Sequence, residues 1–276
     1  MQIQKILLPV DYSIPSDNAV QYGCQLAQSM GARVLLFHAY HIPVPTTEMP
    51  VILVSPEELE SSNRQRLEKY REDLQKQIGT KLPIDLFVTP GFAADEITDL
   101  AVEEKADLIV MGISGEGKLA HSLLGSITTA VLKNSSKPLL IVPEEAHEVK
   151  FSKIAFACDY KGQVGEVPIS FIREIATHFK ASVQVIHVGS PTGEILSDHT
   201  SSNEVLEEQL KDIPHSLHFP TNTDLQEGLL EFEKASGTDL LVMIAKKHHL
   251  LDRLFNISNT RKMAFHTHIP VLALHE

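Results

Sequence analysis

Glycines and hydroxyl side chains are concentrated in one short stretch of the sequence. Gly112 and Gly115 follow an apolar run that ends at Met111, and Gly-Ser-Ile-Thr at 125–128 opens a helical pattern. Glycine lets a backbone pass close to a bound group and turn its N–H groups toward it. A helix N-terminus adds orphan amides and a positive dipole end, and hydroxyls add further donors. The stretch therefore predicts a cradle for phosphate groups.

The same stretch contains a partial match to a P-loop. Residues 112–118 fit G-x-x-x-x-G-K, but the eighth position, which should be Ser or Thr to hold magnesium, is Leu119. The stretch also follows the fourth apolar run of its unit, rather than joining the first strand to its helix as a P-loop does. We interpret the match as accidental.

Five short apolar runs alternate with helical patterns around this stretch, and they predict the elements that position it. Strands are expected at 6–10, 34–38, 84–88, 108–111 and 139–142, and helices at 19–30, 56–78, 95–104 and 126–133. Several runs are apolar throughout, as parallel strands covered on both faces are. The alternation predicts an α/β, doubly wound, Rossmann-like fold with a five-stranded parallel sheet. Ligands bind such sheets at the carboxyl ends of the strands.

An internal repeat indicates that this unit occurs twice. Residues 5–12 match 153–160, and residues 106–111 match 238–243, at offsets of 148 and 132. We therefore predict two tandem domains, 1–146 and 149–276, the second with a shorter connection after its second strand. Ser201-Ser202-Asn203-Glu204 predicts the start of a short helix in that connection.

The second copy departs from the first at each glycine of the cradle. The offset places Ile244, Lys247 and Ile257 where Gly112, Gly115 and Gly125 stand, while Ser258 still matches Ser126. A β-branched side chain does not readily adopt positive φ and would fill the space of a phosphate. We predict that the second copy is degenerate and lacks this type of site.

Charge and composition exclude several classes of protein. The formal net charge is −12, from 24 Lys and Arg against 36 Asp and Glu, and no basic run is visible. Binding to nucleic acid or to an anionic membrane normally begins with a basic face, so both are expected to be absent. No apolar run approaches a membrane span of about 18 residues, and no signal peptide is recognised. With only two distant cysteines, we predict a cytoplasmic protein.

Neither a metal site nor a catalytic group is predicted. The chain has 14 histidines, several of them late in the sequence, but their spacing matches no structural zinc pattern. Cys24 and Cys158 fall within predicted elements and are interpreted as small core residues. No Ser-His-Asp set or pair of acid and base carboxylates is recognised.

The spacing of these glycines is also similar to a sequence pattern of a known protein family. The pattern G-x-x-G, then nine residues, then G-[ST] is matched by Gly112, Gly115, Gly125 and Ser126. The first copy also begins with the strand motif ILLPVD at 6–11 and ends with the strand motif KPLLIV at 137–142. In these features the chain resembles the universal stress protein family, as a tandem of two such domains.

The resemblance to the ATP-binding branch of that family implies a set of binding residues. The adenine and ribose would be bordered by Pro9, Val10 and Asp11, with the backbone at Ala39 reading the adenine edge. The ribose and phosphates would be held by Gly112, Gly115, Gly125, Ser126, Ile127 and Thr128, next to Met111. The implied ligand is ATP, with Mg²⁺ or Mn²⁺ as its accompanying ion. Asp11 has a second interpretation, since an Asp after a strand often caps the following turn.

Three functional hypotheses follow. The first is an ATP-binding regulatory protein of the universal stress class. The second is a slow ATPase or nucleotidyl-transfer enzyme on the same architecture, and the third is an interaction module whose glycines only make turns. Because domains of this family pair through their last strand, residues 139–142 and 271–274 are expected to be neighbours in an internal pseudo-dimer. A homodimer of the whole chain is left open.

Overall fold

The computed structural model describes residues 2–42, 55–79, 82–113, 125–158, 165–187, 206–218, 225–245 and 268–275 of the chain. These residues form one ten-stranded sheet with helices on both faces. Among them, no helix is both long enough and apolar enough to cross a membrane.

Strands and helices alternate through the first half, as predicted. The elements are β1 (Lys5–Pro9), α1 (Ile14–Met30), β2 (Arg33–Tyr40), α2 (Pro56–Ile78), β3 (Ile84–Pro90), α3 (Ala93–Glu103), β4 (Leu108–Gly112), α4 (Ser126–Asn134) and β5 (Leu139–Val142). A capping box begins α2, where Ser55 and Glu58 bond to each other's backbone amides. α1 begins well before its predicted start at residue 19, because the Ser13 hydroxyl caps it by accepting from the Ser16 amide.

The second half repeats this alternation. Its elements are β6 (Lys153–Cys158), α5 (Glu166–Phe179), β7 (Ser182–His187), β8 (His215–His218), α6 (Leu225–Ser236), β9 (Leu240–Ala245) and β10 (Val271–His275), with a helical turn at 206–210. α5 has 14 residues against 17 in α1, and both end at a residue with positive φ, Lys180 and Gly31. These two ends match in the repeat. The helix start predicted at 201–204 lies outside the described residues.

The two halves join into one sheet through their last strands. The strand order is β3-β2-β1-β4-β5-β10-β9-β6-β7-β8. β5 and β10 pair antiparallel, with Leu140 opposite Leu272, whereas the other neighbours are parallel. The predicted neighbourhood of these two strands is therefore confirmed, and each covers an edge that the other would expose. The antiparallel seam also places the carboxyl ends of the two sets of strands at opposite edges of the sheet.

The hydrophobic core is continuous across this seam on both faces of the sheet. Leu140 and Leu272 belong to the layer under α1, α2 and α5, while Ile141 and Val271 belong to the layer under α3 and α4. This alternation follows the two-residue period of a strand. Each of these side chains is at most 2% exposed, and burying one contributes about 1.5–3 kcal/mol. The halves thus share two cores rather than enclosing one each.

Helix α1 binds the segment that links the halves. The Asn18 side chain donates to the carbonyls of Pro143 and Ala146, at 3.0 and 3.2 Å. The Gln25 side chain donates to the His147 carbonyl at 2.9 Å and accepts from the Val149 amide at 3.3 Å. These bonds satisfy backbone groups that have no strand or helix partner, so the link has a fixed path over α1.

The amino ends of the central strands are held in the same way in both halves. The Asp107 carboxylate accepts from the amides of Gln4 and Lys5, at 2.8 and 2.9 Å. In the second half, Asp239 accepts from the amides of Ser152 and Lys153, at 2.7 and 3.0 Å. Asp107 and Asp239 are equivalent in the internal repeat, so the repeat extends to individual hydrogen bonds.

Candidate functional site

A cleft opens at the carboxyl ends of β1, β2 and β4, beside the first turns of α1, α3 and α4. The space between its walls, including solvent at the open mouth, is about 670 Å³. Ten of the eleven predicted site residues line it: Pro9, Val10, Asp11, Ala39, Met111, Gly112, Gly125, Ser126, Ile127 and Thr128. The eleventh, Gly115, lies outside the described residues, as does the P-loop match beyond Ile113.

Six further lining residues are absent from the sequence prediction. They are Ser13, Pro15, Ser16, Phe37, Ala93 and Ile97. Ser13, Pro15 and Ser16, at the start of α1, are missed because the predicted start of this helix lies too late. Ser13 followed by a proline in the first turn is nevertheless a helix-start signal. Phe37, Ala93 and Ile97 carry no chemical signature, and only the fold brings these apolar residues to the cleft.

The corner between β4 and α4 contains the predicted phosphate cradle. The hydrogen bonds of α4 begin with the Thr129 amide, which donates to the Gly125 carbonyl at 2.9 Å. The amides of Ser126, Ile127 and Thr128 therefore precede the helix's own ladder, as the first amides of any helix do. The Thr128 hydroxyl, however, donates to the Gly112 carbonyl at 3.1 Å, and the residue is 3% exposed. It ties α4 to the end of β4, so the amide, not the hydroxyl, is the donor that Thr128 offers a ligand.

The reason for glycine at position 112 differs from the prediction. Gly112 does not have positive φ, and Gly125 caps α4 at φ −57° and ψ 152°, a conformation open to any residue. A Cβ atom at Gly112 would lie 2.4 Å from the Pro15 carbonyl oxygen. Glycine is therefore required at 112 by the close approach of β4 to the first turn of α1. Neither Gly112 nor Gly125 uses the positive φ that glycine permits.

The turn between β1 and α1 forms a second wall of the cleft. The Asp11 carboxylate accepts from both the amide and the hydroxyl of Ser13, at 2.9 and 2.6 Å. The Asp11 amide in turn donates to the Ser16 hydroxyl at 3.1 Å. The turn-capping role of Asp11 is thus present in the structure, and its exposed carboxylate also lines the cleft. A role toward a ligand remains a prediction.

The lining combines apolar and polar surfaces. Phe37 and Ala39 on β2 and Ala93 and Ile97 on α3 give apolar contact area, while the β4–α4 corner gives amides and hydroxyls. Among the described lining residues, Asp11 carries the only full charge, and none is Lys or Arg. This arrangement suits a ligand with a flat apolar group and an anionic part that is bound by amides, because amides at a helix N-terminus favour negative charge.

Other candidate reactive groups lie away from the cleft. Cys24 and Cys158 are buried, as predicted for core residues, and burial raises the pKa of the Cys24 thiol to about 12. Within the described part of the chain, no three His, Cys, Asp or Glu side chains are grouped closely enough to hold a metal ion.

The corresponding edge of the second half is built differently. Ile244, the equivalent of Gly112, is 4% exposed and packs in the core layer under α5. Its side chain thus occupies protein interior at the end of β9. Lys247, Ile257 and Ser258, the other equivalents, lie outside the described residues.

Comparison with known proteins agrees with this architecture. A model of the universal stress protein family matches residues 2–143. The chain belongs to this family. A universal stress protein of Methanocaldococcus jannaschii is 31% identical over 149 residues, covering 52% of this chain and 85% of the relative. One from Thermus aquaticus is 36% identical over 139 residues, covering 50% of this chain and 96% of the relative.

The likeness in fold extends over both halves of this universal stress protein. The crystal structure of a universal stress protein from Archaeoglobus fulgidus matches with a TM-score of 0.71, covering 99% of this chain and 97% of that one, at 19% identity. The family model ends before the second half, whereas the structural match includes it. The chain is therefore a tandem universal stress protein whose halves share one fold.

Proposed function

We propose that this universal stress protein binds ATP in its first half and acts as a regulator in the stress response. The observation that carries the proposal is the β4–α4 corner, where residues 126–128, whose amides precede the helix hydrogen bonds, line the same cleft as the Asp11 turn and an apolar wall. A nucleotide has the matching parts: an apolar base, a hydroxylated sugar and an anionic tail.

The contacts follow from the chemistry of the lining. Pro9, Val10 and the backbone at Ala39 would border the adenine, and the Asp11 carboxylate would accept from a ribose hydroxyl. The phosphates would lie along Gly125 to Thr128, with Gly112 and Gly115 at their side. Because the described lining has no cation and no metal cluster, a Mg²⁺ or Mn²⁺ ion would be bound mainly by phosphate oxygens, as Mg²⁺ commonly is.

Regulation is favoured over catalysis by what the cleft offers. Asp11 is the only carboxylate among the described lining residues, and its Oδ1 already accepts two hydrogen bonds. Hydrolysis or nucleotidyl transfer requires a group that orients or deprotonates a nucleophile. Slow ATP turnover by the purified chain is the observation that would favour the enzymatic alternative.

Titration calorimetry with ATP and magnesium tests the proposal. We expect one ATP per chain and a loss of most binding in Gly125→Val, since the new side chain enters the phosphate space. Gly165→Val is a matched control, because Gly165 caps α5 with nearly the same backbone angles, φ −57° and ψ 154°. Its ATP affinity should equal that of the wild type. Unchanged affinity in Gly125→Val, or two ATP per chain, would contradict the assignment.

Two further features belong to this proposal. We infer that residues 1–146 form the nucleotide-binding domain and 149–276 a degenerate partner domain, with the bound segment over α1 between them. We also infer a cytoplasmic location, where thiols such as that of Cys24 stay reduced.

A further inference from the structure

Tyr12 has a backbone conformation that its side chain disfavours. Its φ is +67°, in the left-handed region, and it stands between Asp11 and Ser13, which both line the cleft. In this region the Cβ atom of an L-residue crowds the backbone, so a bulky residue persists there only where its surroundings impose the conformation. The ring of Tyr12 must therefore be held by contacts strong enough to offset this cost.

Those contacts come from β2 and α2, on the face of the sheet that α1 and α2 cover. The Arg66 guanidinium carbon lies 3.8 Å from the centre of the Tyr12 ring. The His38 and Tyr70 rings lie 4.8 and 5.6 Å from it, the latter edge-on. Cation–π and edge-to-face contacts of this kind are attractive. They fix the ring from three directions.

The partners of Tyr12 are themselves fixed. His38 Nδ1 lies 2.7 Å from the Val10 carbonyl, which can only accept, so this nitrogen carries the proton. The Tyr70 hydroxyl donates to Asp17 on α1 at 2.5 Å. β2 is thereby joined to Val10 just after β1, and α2 is joined to the start of α1, on either side of the Asp11–Ser13 turn.

The ring of Tyr12, rather than its hydroxyl, makes these contacts. The hydroxyl is buried and has no hydrogen-bond partner among the described residues. Burial raises the Tyr12 pKa, against an opposing effect of Arg66. A residue at this position therefore needs an aromatic face but gains nothing from the phenol oxygen.

We propose that Tyr12 is a positioning residue for the nucleotide cleft: stacked on Arg66 and packed against His38 and Tyr70, its ring locks the turn that places Asp11 and Ser13 in the cleft wall. If φ of Tyr12 became negative, the Asp11 carboxylate would rotate away from the Ser13 amide, and the wall would be lost. The apparent affinity for a ligand falls with the fraction of molecules that hold the competent turn. The inference rests on the proposed function, because it concerns the same site.

The test compares conservative and disruptive variants of the full chain, with ATP and magnesium as the probe. Tyr12→Phe keeps the aromatic face and should bind ATP within about twofold of the wild type. Arg66→Gln removes the stacked cation and should weaken binding roughly three- to tenfold, within the range of a partly buried cation–π contact. Arg64→Gln makes the same charge change on the same helix, where the ion pair of Arg64 among the described residues is with exposed Glu60, and should have no effect.

A second measurement, made without ATP, tests how stably the Asp11–Ser13 turn is held. Hydrogen exchange at the amides of Asp11 and Ser13, both bonded within the turn, should accelerate in Arg66→Gln and stay unchanged in Tyr12→Phe and Arg64→Gln. Tyr12→Gly accepts positive φ without strain, so it should fold, yet exchange faster and bind ATP more weakly. Wild-type affinity and exchange in both Tyr12→Gly and Arg66→Gln would overturn the positioning role. If the wild type binds no ATP, the proposed function fails, while the exchange data still decide whether the ring locks the turn.

Discussion

At the amino ends of their central strands, the two halves of the sheet are almost interchangeable. Asp107 and Asp239 accept from two backbone amides each, and Lys5 and Lys153 donate to the carbonyls of Glu104 and Ser236, at 2.7 and 2.6 Å. At the carboxyl ends the halves differ: β4 ends in Gly112 under the first turn of α1, and β9 has buried Ile244 at the equivalent position.

The difference at the carboxyl ends reflects the packing around one residue. Pro15 lies in the first turn of α1, and its carbonyl leaves no room for a side chain at Gly112. At the equivalent position of the second half Ile244 is buried, as a closely packed interior requires. The comparison teaches that the hydrogen bonds at the amino ends of the central strands are the same in both halves, whereas the residues packed at the carboxyl ends differ between them.

The largest expected effect comes from separating the halves. Residues 1–146 alone would expose the edge of β5, where Leu139 to Val142 are each at most 2% exposed in the intact chain. Unpaired edge strands of this kind associate, so the fragment should dimerise or aggregate. Light scattering measures the mass. A stable monomer would show that the seam is dispensable to the first half.

Exchanging the residues at the carboxyl edges should lower the free energy of unfolding by several kcal/mol. Gly112→Ile places a side chain against the Pro15 carbonyl, and we expect a loss of about 3 kcal/mol or more. Ile244→Gly empties a buried position and should lose about 3–5 kcal/mol. Urea denaturation measures both. If either variant keeps the wild-type midpoint, the packing difference between the edges is not structural.

Exchanges at the amino edges should have smaller effects that are equal in the two halves. Asp107→Ala and Asp239→Ala each leave two amides without their acceptor. We expect each substitution to lower the free energy of unfolding by about 1–3 kcal/mol. The Asn variants retain an acceptor and serve as controls. Losses that differ between Asp107→Ala and Asp239→Ala by more than about 1 kcal/mol would contradict the equivalence of these edges.

The smallest expected effect is a pH dependence confined to the second half. His275 ends β10, where Pro143 follows β5 in the first half, and burial lowers the His275 pKa. A lowered pKa in the folded state means that the unfolded chain binds protons first. Stability due to neutral His275 is therefore present above about pH 6.5 and is lost as the pH falls toward the folded-state pKa. His275→Phe should flatten the dependence of the thermal midpoint on pH below 6.5, and an unchanged slope would exclude this source.

Sequence patterns predicted the elements of the first half because parallel strands and amphipathic helices are local signals. Ten cleft residues were predicted through the family resemblance, which rests on the glycine pattern and on the motifs at the first and last strands of the copy. The physical reason for Gly112 was not predictable, because the Pro15 carbonyl that excludes a side chain lies far away in the sequence. Nor does any local pattern indicate the left-handed conformation of Tyr12, which depends on Arg66 and His38 from other elements.

The antiparallel seam between β5 and β10 has a consequence for how such proteins can diverge. Two identical subunits joined through this seam would have the same residues at the carboxyl ends of both sets of strands. In such a symmetric dimer, a substitution in the sequence appears in both subunits. A single chain removes that constraint, so Gly112 can persist at one edge while Ile244 fills the other. Covalent fusion thus permits one ligand site per molecule where a symmetric pair must carry two or none.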